Sequence, residues 1–531
     1  MIEHTMQDVQ LTLDSLIRHG RSVHAAKRVV SVTDDGLRTD TFAEVAELAD
    51  RLASWLWAEA CPAGGVVATM MWNQLEHLVT YLATTSTGLV LNPMNPRLDA
   101  AQNAHVLSQV RPDVLIVDAS MLEQCQQALT EADLTPVLVV VGEPGAGLSA
   151  SGAARFAEVV AQEASAELPR PASEQQAAVI AYTSGTTGPP KGVVYSHRSI
   201  WLHAQIICTP NVYGIGEGDR ILASVPIYHT NAASLPLGGW ISGADLVLPG
   251  SSLAPANLGG LIEKSAVTHA VGVATLWNDL LSWWEEGGVD LSSLKLVVSG
   301  GSAPPAHLIK GFRARGVPII QGWGMTESIG INSMGHPPAV ADAQTSLEYL
   351  RTYAGRIVPG VELRVRSDEH AEQPGERTVG EFEVRGPWVT AGYLGTVDRA
   401  DWFATGDVGY VTDDGYVAIT DRLKDVIKSG GEWISSLELE KALETHPEVV
   451  SVSVVAIPDE RWQERPLALV VARAGAVDVP ELKQWLQSRV PRWWTPERWV
   501  AIEEIPLTSM GKPDKARMRR AYADGAYKVL T

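Results

Sequence analysis

Between Ala181 and Arg198 the chain reads AYTSGTTGPPKGVVYSHR. Thr183, Ser184, Gly185, Thr186, Thr187 and Gly188 offer hydroxyls and unobstructed backbone N–H groups, and a cation follows at Lys191. Glycine lets a backbone approach a ligand closely, and hydroxyls with exposed N–H groups suit phosphate oxygens. The spacing is not that of the Walker A loop, G-x-x-x-x-G-K-[ST]. Counted from Gly185, Pro190 stands where the second glycine belongs and Gly192 where the Ser/Thr belongs. The residues alone leave two readings open: a phosphate loop of non-Walker type, or a flexible linker. The flanks favour the first, because AAVIAYT enters the segment and VVYSH leaves it, both strand-like.

The elements that must position such a loop follow from periodicity. VVATMMW (66–72), VLIVD (114–118), PVLVVV (136–141), AAVIAYT (177–183), THAVGVA (268–274) and KLVVSGG (295–301) are short β-branched runs of the kind that form buried strands. In TFAEVAELADRLASWLW, Phe42, Val45, Leu48, Leu52 and Leu56 share one helical face, and Thr41 with Glu44 forms a capping box. Strands alternating with helices predict an α/β fold of several layers with mostly parallel sheets. Residues 142–175, rich in Gly, Ala, Ser, Glu and Pro, predict a surface excursion with one short helix. From Gly380 the strands shorten and tight turns appear, such as Thr412-Asp413-Asp414-Gly415. Beyond Asp421–Lys428, the segments SVSVVAI, PLALVVA, PELKQWLQSRV and WVAIEEIP predict a small α+β unit, which puts a domain boundary near residues 421–425.

Composition bounds the partners. The 531 residues are 45% hydrophobic and 20% charged, with mean hydropathy near zero, a globular balance large enough to enclose a site. Sixty-two acidic residues against 42 basic ones give a formal charge of −20, which disfavours nucleic acid as a partner. Cys61, Cys125 and Cys208 are far apart and suggest neither a disulfide framework nor a metal site. The start, MIEHTMQDVQLTLDSLIRHG, lacks the pattern of a secretory signal, and no run is long enough to span a membrane. A soluble cytoplasmic protein is the expectation.

Further along stand QGWGMTES (321–328), WFATGDVGYV (402–411), DRLKDVIKSGGEWIS (421–435) and PLTSMGKPDK (506–515). With YTSGTTGPPKGV, these resemble, in order, the motifs of the acyl-adenylate-forming enzymes, and the likeness runs from about residue 20 to 520. Within that family the GWGMTE, KSGGEWISS and PDERWQERP stretches are most similar to medium-chain fatty-acyl-CoA synthetases. The resemblance implies residues 1–423 as an adenylation domain, and 424–531 as a small domain turning about a hinge at Lys424. The implied reaction has two steps. A carboxylate attacks the α-phosphorus of ATP, releasing pyrophosphate, and the thiol of CoA then displaces AMP from the acyl-adenylate.

Roles carry over motif by motif. Thr183 to Gly188 would hold the β- and γ-phosphates, with Lys191 as the loop's cation; the alternative is a solvated lysine that only orients the loop. Thr326 would meet the α-phosphate and Glu327 would bind Mg²⁺, with Thr186 as a second metal contact; alone the pair is also a helix-capping pair. Trp323 would lie against adenine with Gly301, Ser302 and Ala303 opposite, Gly324 and Met325 completing the nucleotide site; a Trp beside glycines is also a common core residue. Asp407 and Arg422 would hold the ribose hydroxyls, or simply pair with each other at a turn. Lys512 would reach the reacting oxygens during adenylation. Ser429, Gly430, Gly431, Glu432 and Trp433 would line the CoA path in the second step. His229 would gate the acyl pocket, which Val273, Ser299, Gly300, Gly324 and Met325 would line; the alternative is a core histidine.

One departure falls beside that pocket: many relatives carry Pro-Thr where this chain has Ala274-Thr275, which frees a backbone torsion. The implied partners are ATP, CoA and an apolar carboxylic acid of medium or similar size, and the resemblance allows a homodimer. An alternative keeps adenylation but changes the acceptor to a carrier protein or an amine, or activates another oxyanion such as nitrite.

Overall fold

The computed structural model describes residues 4–143, 152–165, 167–183, 189–229, 234–287, 289–366, 378–396, 400–430, 432–473, 475, 477–508 and 512–531. Two sheets occupy the chain as far as Arg422. The seven-stranded sheet runs in space Ala154–Arg155, Val137–Val141, Val114–Asp118, Val66–Met70, Val90–Pro93, Ala177–Tyr182 and Gly192–Ser196. It is parallel except for the last pair. The thirteen-stranded sheet holds a parallel run through Arg28–Thr33, Asp245–Leu248, Arg220–Leu222, His269–Val273, Leu296–Gly300 and Ile319–Trp323. Beyond Trp323 every neighbour in that sheet pairs antiparallel.

The expectation of mostly parallel sheets therefore needs correcting for half of the larger sheet. Parallel neighbours need a crossover, which the helices Pro255–Ser265, Ala274–Glu285 and Ala306–Ala314 supply. After Trp323 hairpins take over, including the expected Thr412–Gly415 turn, where the Thr412 hydroxyl donates to Asp414 at 2.6 Å. The helix Phe42–Trp55 carries the expected capping box, with Phe42, Val45 and Leu52 at 0% exposure. The 142–175 stretch is not all surface. Ala154–Arg155 adds an edge strand, and the short helix Phe156–Val159 buries Phe156 and Val159.

The third sheet, six-stranded, is built entirely from residues after Asp425, with the helices Ser436–Leu443, Val479–Gln487 and Lys515–Ala523. It meets the rest of the chain through buried polar contacts. Asp421 accepts hydrogen bonds from the Ser436 N–H (2.5 Å) and hydroxyl (3.1 Å), and the Ser435 hydroxyl donates to the Thr420 carbonyl at 2.5 Å. Burial pushes the Asp421 carboxyl up to about 6, against the opposing pull of Lys515. Among the described residues no helix is long and apolar enough to cross a membrane. All three cysteines are free, and burial pushes each thiol up to about 12.

Candidate active site

The glycine-rich segment is pinched at its neck. Tyr182 pairs with Gly192 across the two strands, the Thr183 N–H donates to the Lys191 carbonyl (3.0 Å), and the Lys191 N–H donates to the Thr183 hydroxyl (3.0 Å). A segment whose ends are bonded to each other is a loop and not a linker. Ser184, Gly185, Thr186, Thr187 and Gly188 lie outside the described residues.

Facing this neck, Thr326 and Glu327 form a single 3₁₀ turn directly after the strand Ile319–Trp323. Tyr195, on the strand leaving the loop, donates its hydroxyl to the Thr326 carbonyl at 2.7 Å. Glu327 is 6% exposed, takes a 2.6 Å hydrogen bond from the Tyr393 hydroxyl, and accepts the Thr390 N–H at its carbonyl (2.7 Å). Burial, with the Glu327 bond, holds the Tyr393 phenol above its ordinary value, so it donates. The turn packs tightly enough to require glycine at 324: a Cβ there would stand 2.1 Å from the Gly330 carbonyl oxygen.

Asp407, 6% exposed, is held from three sides. Its carboxylate accepts the Trp323 indole N–H at 2.7 Å and pairs with the Arg422 Nε at 3.2 Å, while its N–H donates to the Thr405 hydroxyl at 3.1 Å. Both plain alternatives are thus partly realised: Asp407 does pair with Arg422, and Trp323 is buried, tilted against Phe382. Trp323 still joins Gly301, Ser302, Ala303, Asp407 and Arg422 around a cavity of about 240 Å³.

Lys512 comes from the far end of the chain. Its loop closes on itself, the Thr508 N–H donating to the Lys512 carbonyl at 2.7 Å, with Leu507 bridging to Pro513. The side chain lies over Gly301, where a Cβ would come within 2.8 Å of the lysine Cε. Burial, aided by the charges of Arg422 and Lys424 and opposed by Asp407, pushes the Lys512 ammonium down to about 8. His229 is held down to about 4 by burial and then by Lys512, so its imidazole is neutral.

These groups share one cavity of about 1010 Å³. Thr183, Lys191, Thr326, Glu327 and Lys512 line it, as do His229, Val273, Gly300 and Met325. In a protein of charge −20, the wall gathers the cations Arg97, Lys191, Arg422, Lys424 and Lys512. That arrangement suits a polyanion beside a group of developing negative charge. Glu327 is buried and, among the described residues, has no ion-pair partner. A lone buried carboxylate facing a phosphate-sized space fits Mg²⁺, which takes one or two carboxylates and completes its shell with phosphates and water.

Other expected residues fall elsewhere. Ser299, at 0% exposure inside its strand, does not line the cavity. Its neighbour Gly300, the last residue of the strand, does. Ser429 is buried and accepts from Arg465 at 3.2 Å, the Gly430 N–H donates to the Trp462 carbonyl, and Glu432 and Trp433 are exposed. None of these four borders the cavity, and Gly431 lies outside the described residues. Ala274 is the first residue of the helix Ala274–Glu285, so the torsion freed by the missing proline is held helical.

The structure also brings in residues that motif reading passed over. Asn73, 5% exposed, accepts the Ile227 N–H at 2.8 Å and donates to the carbonyls of Ala223 and Val225, fixing the loop that carries Ser224, Val225 and Pro226 to the cavity. Tyr393 and Arg97 line it too. No chemical signature marks any of them in sequence; only the polar satisfaction of a buried loop does.

Comparison with known proteins agrees with this geometry. A family model described as AMP-binding enzyme matches residues 20–394, and one described as AMP-binding enzyme C-terminal domain matches 438–512. The chain is similar to the long-chain-fatty-acid–CoA ligase of Thermus thermophilus, 38% identical over 530 residues, covering 98% of this chain and 97% of that one. It is also similar to the medium-chain-fatty-acid–CoA ligase of Ectopseudomonas oleovorans, 36% identical with 97% and 96% covered. Its fold matches the crystal structure of the anthranilate CoA ligase AuaEII with anthranoyl-AMP at a TM-score of 0.87, 24% identity, and coverage of 99% and 100%. Matched along most of its length by that model and by full-length relatives, the chain belongs to the AMP-binding enzyme family.

Proposed function

We propose that this protein is an ATP-dependent acyl-CoA synthetase that adenylates an apolar carboxylic acid, releases pyrophosphate, and passes the acyl group to CoA with release of AMP. The observation that carries this is the meeting of Lys512 with Thr326, Glu327, Thr183 and Lys191 on one cavity, although they come from three separate stretches of chain. In this reading Thr183, Lys191 and the loop to Gly188 hold the triphosphate. Gly301 to Ala303, Trp323, Asp407 and Arg422 hold the nucleoside. Glu327, with Thr186, would hold Mg²⁺, which neutralises phosphate charge as pyrophosphate leaves. Lys512 stabilises the charge building on the bridging and carboxylate oxygens. Neutral His229 closes the acyl side beside Val273 and Gly300.

Residues 1–423 and 424–531 serve as the two domains, with Lys424 as the pivot. The pivot reading is supported by the Ser436–Asp421 and Ser435–Thr420 contacts, which join the two domains across it. Turning would withdraw Lys512 and admit Ser429 to Trp433 to the CoA path. Exchange of labelled pyrophosphate into ATP, run over aliphatic, aryl and branched acids, tests the first step. Acid-dependent exchange is expected, and its absence with every acid overturns adenylation. Exchange without consumption of CoA would instead retain adenylation and replace CoA by another acceptor.

A further inference from the structure

The segment Thr390–Leu394 ties the two halves of the phosphate site together. Its Leu394 N–H donates to the Gly192 carbonyl at 2.8 Å, on the strand leaving the glycine-rich loop, and its Thr390 N–H donates to the Glu327 carbonyl at 2.7 Å. Tyr393 lies between these anchors. Its hydroxyl bonds the Glu327 Oε1 at 2.6 Å, and the Lys191 Nζ sits 4.9 Å from its ring centroid, within reach of a cation–π contact. The ring packs edge-on to Phe403, 6.1 Å between centroids, so it cannot swing freely. One half-buried side chain therefore touches both the carboxylate and the cation assigned to Mg·ATP.

We infer that Tyr393 is a positioning residue for adenylation. Its hydroxyl fixes one oxygen of Glu327 so that the other faces the metal, and its ring presents Lys191 toward the phosphates. The inference rests on reading Glu327 as the metal carboxylate. A single strong hydrogen bond to one oxygen of a buried carboxylate narrows its orientations before the metal arrives. A bond that presets the metal carboxylate should be read, when lost, in the metal requirement.

The test is the Mg²⁺ dependence of pyrophosphate exchange in Tyr393→Phe, Tyr393→Leu and Glu327→Gln. Calorimetric titration of ATP with and without Mg²⁺, in the absence of acid, is run beside it, and thermal unfolding establishes that each variant is folded. Loss of one hydrogen bond to a charged group predicts that Tyr393→Phe raises the half-saturating Mg²⁺ about 10-fold. Mg·ATP should bind more weakly, while metal-free ATP binds as in the parent, because the ring and its contact to Lys191 remain. Tyr393→Leu should also weaken metal-free ATP. If Tyr393→Phe lowers the rate equally at all Mg²⁺ concentrations with the midpoint unmoved, Tyr393 is merely structural and the inference falls. If Glu327→Gln also leaves the midpoint unmoved, the metal reading of Glu327 falls with it.

Discussion

Lys512 carries the sharpest expectations at the scale of single residues. It overlies Gly301, far earlier in the chain, and its ammonium is lowered to about 8 chiefly by burial. Lys512→Ala should reduce adenylation by about 10²–10³-fold, as for loss of one preorganised charge contact. Turnover of a supplied acyl-adenylate with CoA should be spared; equal loss in both half-reactions would remove the assigned role. The pH dependence follows from the same lysine. Its useful form is the cation, which is present below about pH 8 and lost above it. Pyrophosphate exchange should therefore fall on the alkaline side with an apparent pKa near 8. That limb should be missing from the thioester-forming step.

At the scale of elements, the site is assembled where parallel strands end. His269–Val273, Leu296–Gly300 and Ile319–Trp323 lie side by side and deliver Val273, Gly300 and, one residue on, Gly324 to the same cavity. Ligands of open α/β sheets collect at these carboxyl ends, because the connections there diverge and leave a crevice. Gly300 is the element-level handle on substrate size. A Cβ there would meet nothing closer than the Gly272 carbonyl oxygen at 3.7 Å, so a side chain can be added without backbone strain. Gly300→Val should fill part of the acyl space, costing longer acids roughly two buried methylenes, or about a 10-fold rise in KM. The KM for ATP should not change. A parallel rise for ATP would mean that Gly300 borders the nucleotide instead.

At the scale of the whole molecule, the six-stranded unit brings Lys512 in only while it is docked as described. The hydrogen bonds that reach it across the boundary include Ser436 on Asp421 and Ser435 on Thr420. Polar contacts of this kind are typical of interfaces between domains of one chain, and they suit the proposed turning about Lys424. Asp421→Ala should loosen this docking. Limited proteolysis near residues 421–426 should become faster, and pyrophosphate exchange should fall about 10-fold, with no loss in acyl transfer from supplied acyl-adenylate. Unchanged proteolysis would show that Asp421 does not hold the two units together.

Much of this protein is determined by local sequence. The β-branched runs became strands at nearly the expected residues, since alternation and burial are short-range properties. Thr41 and Glu44 closed their capping box for the same reason. The motifs around Lys191, Glu327, Asp407 and Lys512 were each visible as glycine, hydroxyl and charge at fixed spacing, which with their order was enough to mark the family. The antiparallel half of the large sheet was not visible, because pairing direction depends on connections that propensity does not encode. Nor was the division between Gly300, which faces the cavity, and Ser299, which is sealed in the core. Tyr393 and Asn73 carry no signature of their own. Their importance arises only when distant strands bring a carboxylate, a cation or three backbone groups within hydrogen-bonding reach, and that proximity belongs to the tertiary fold.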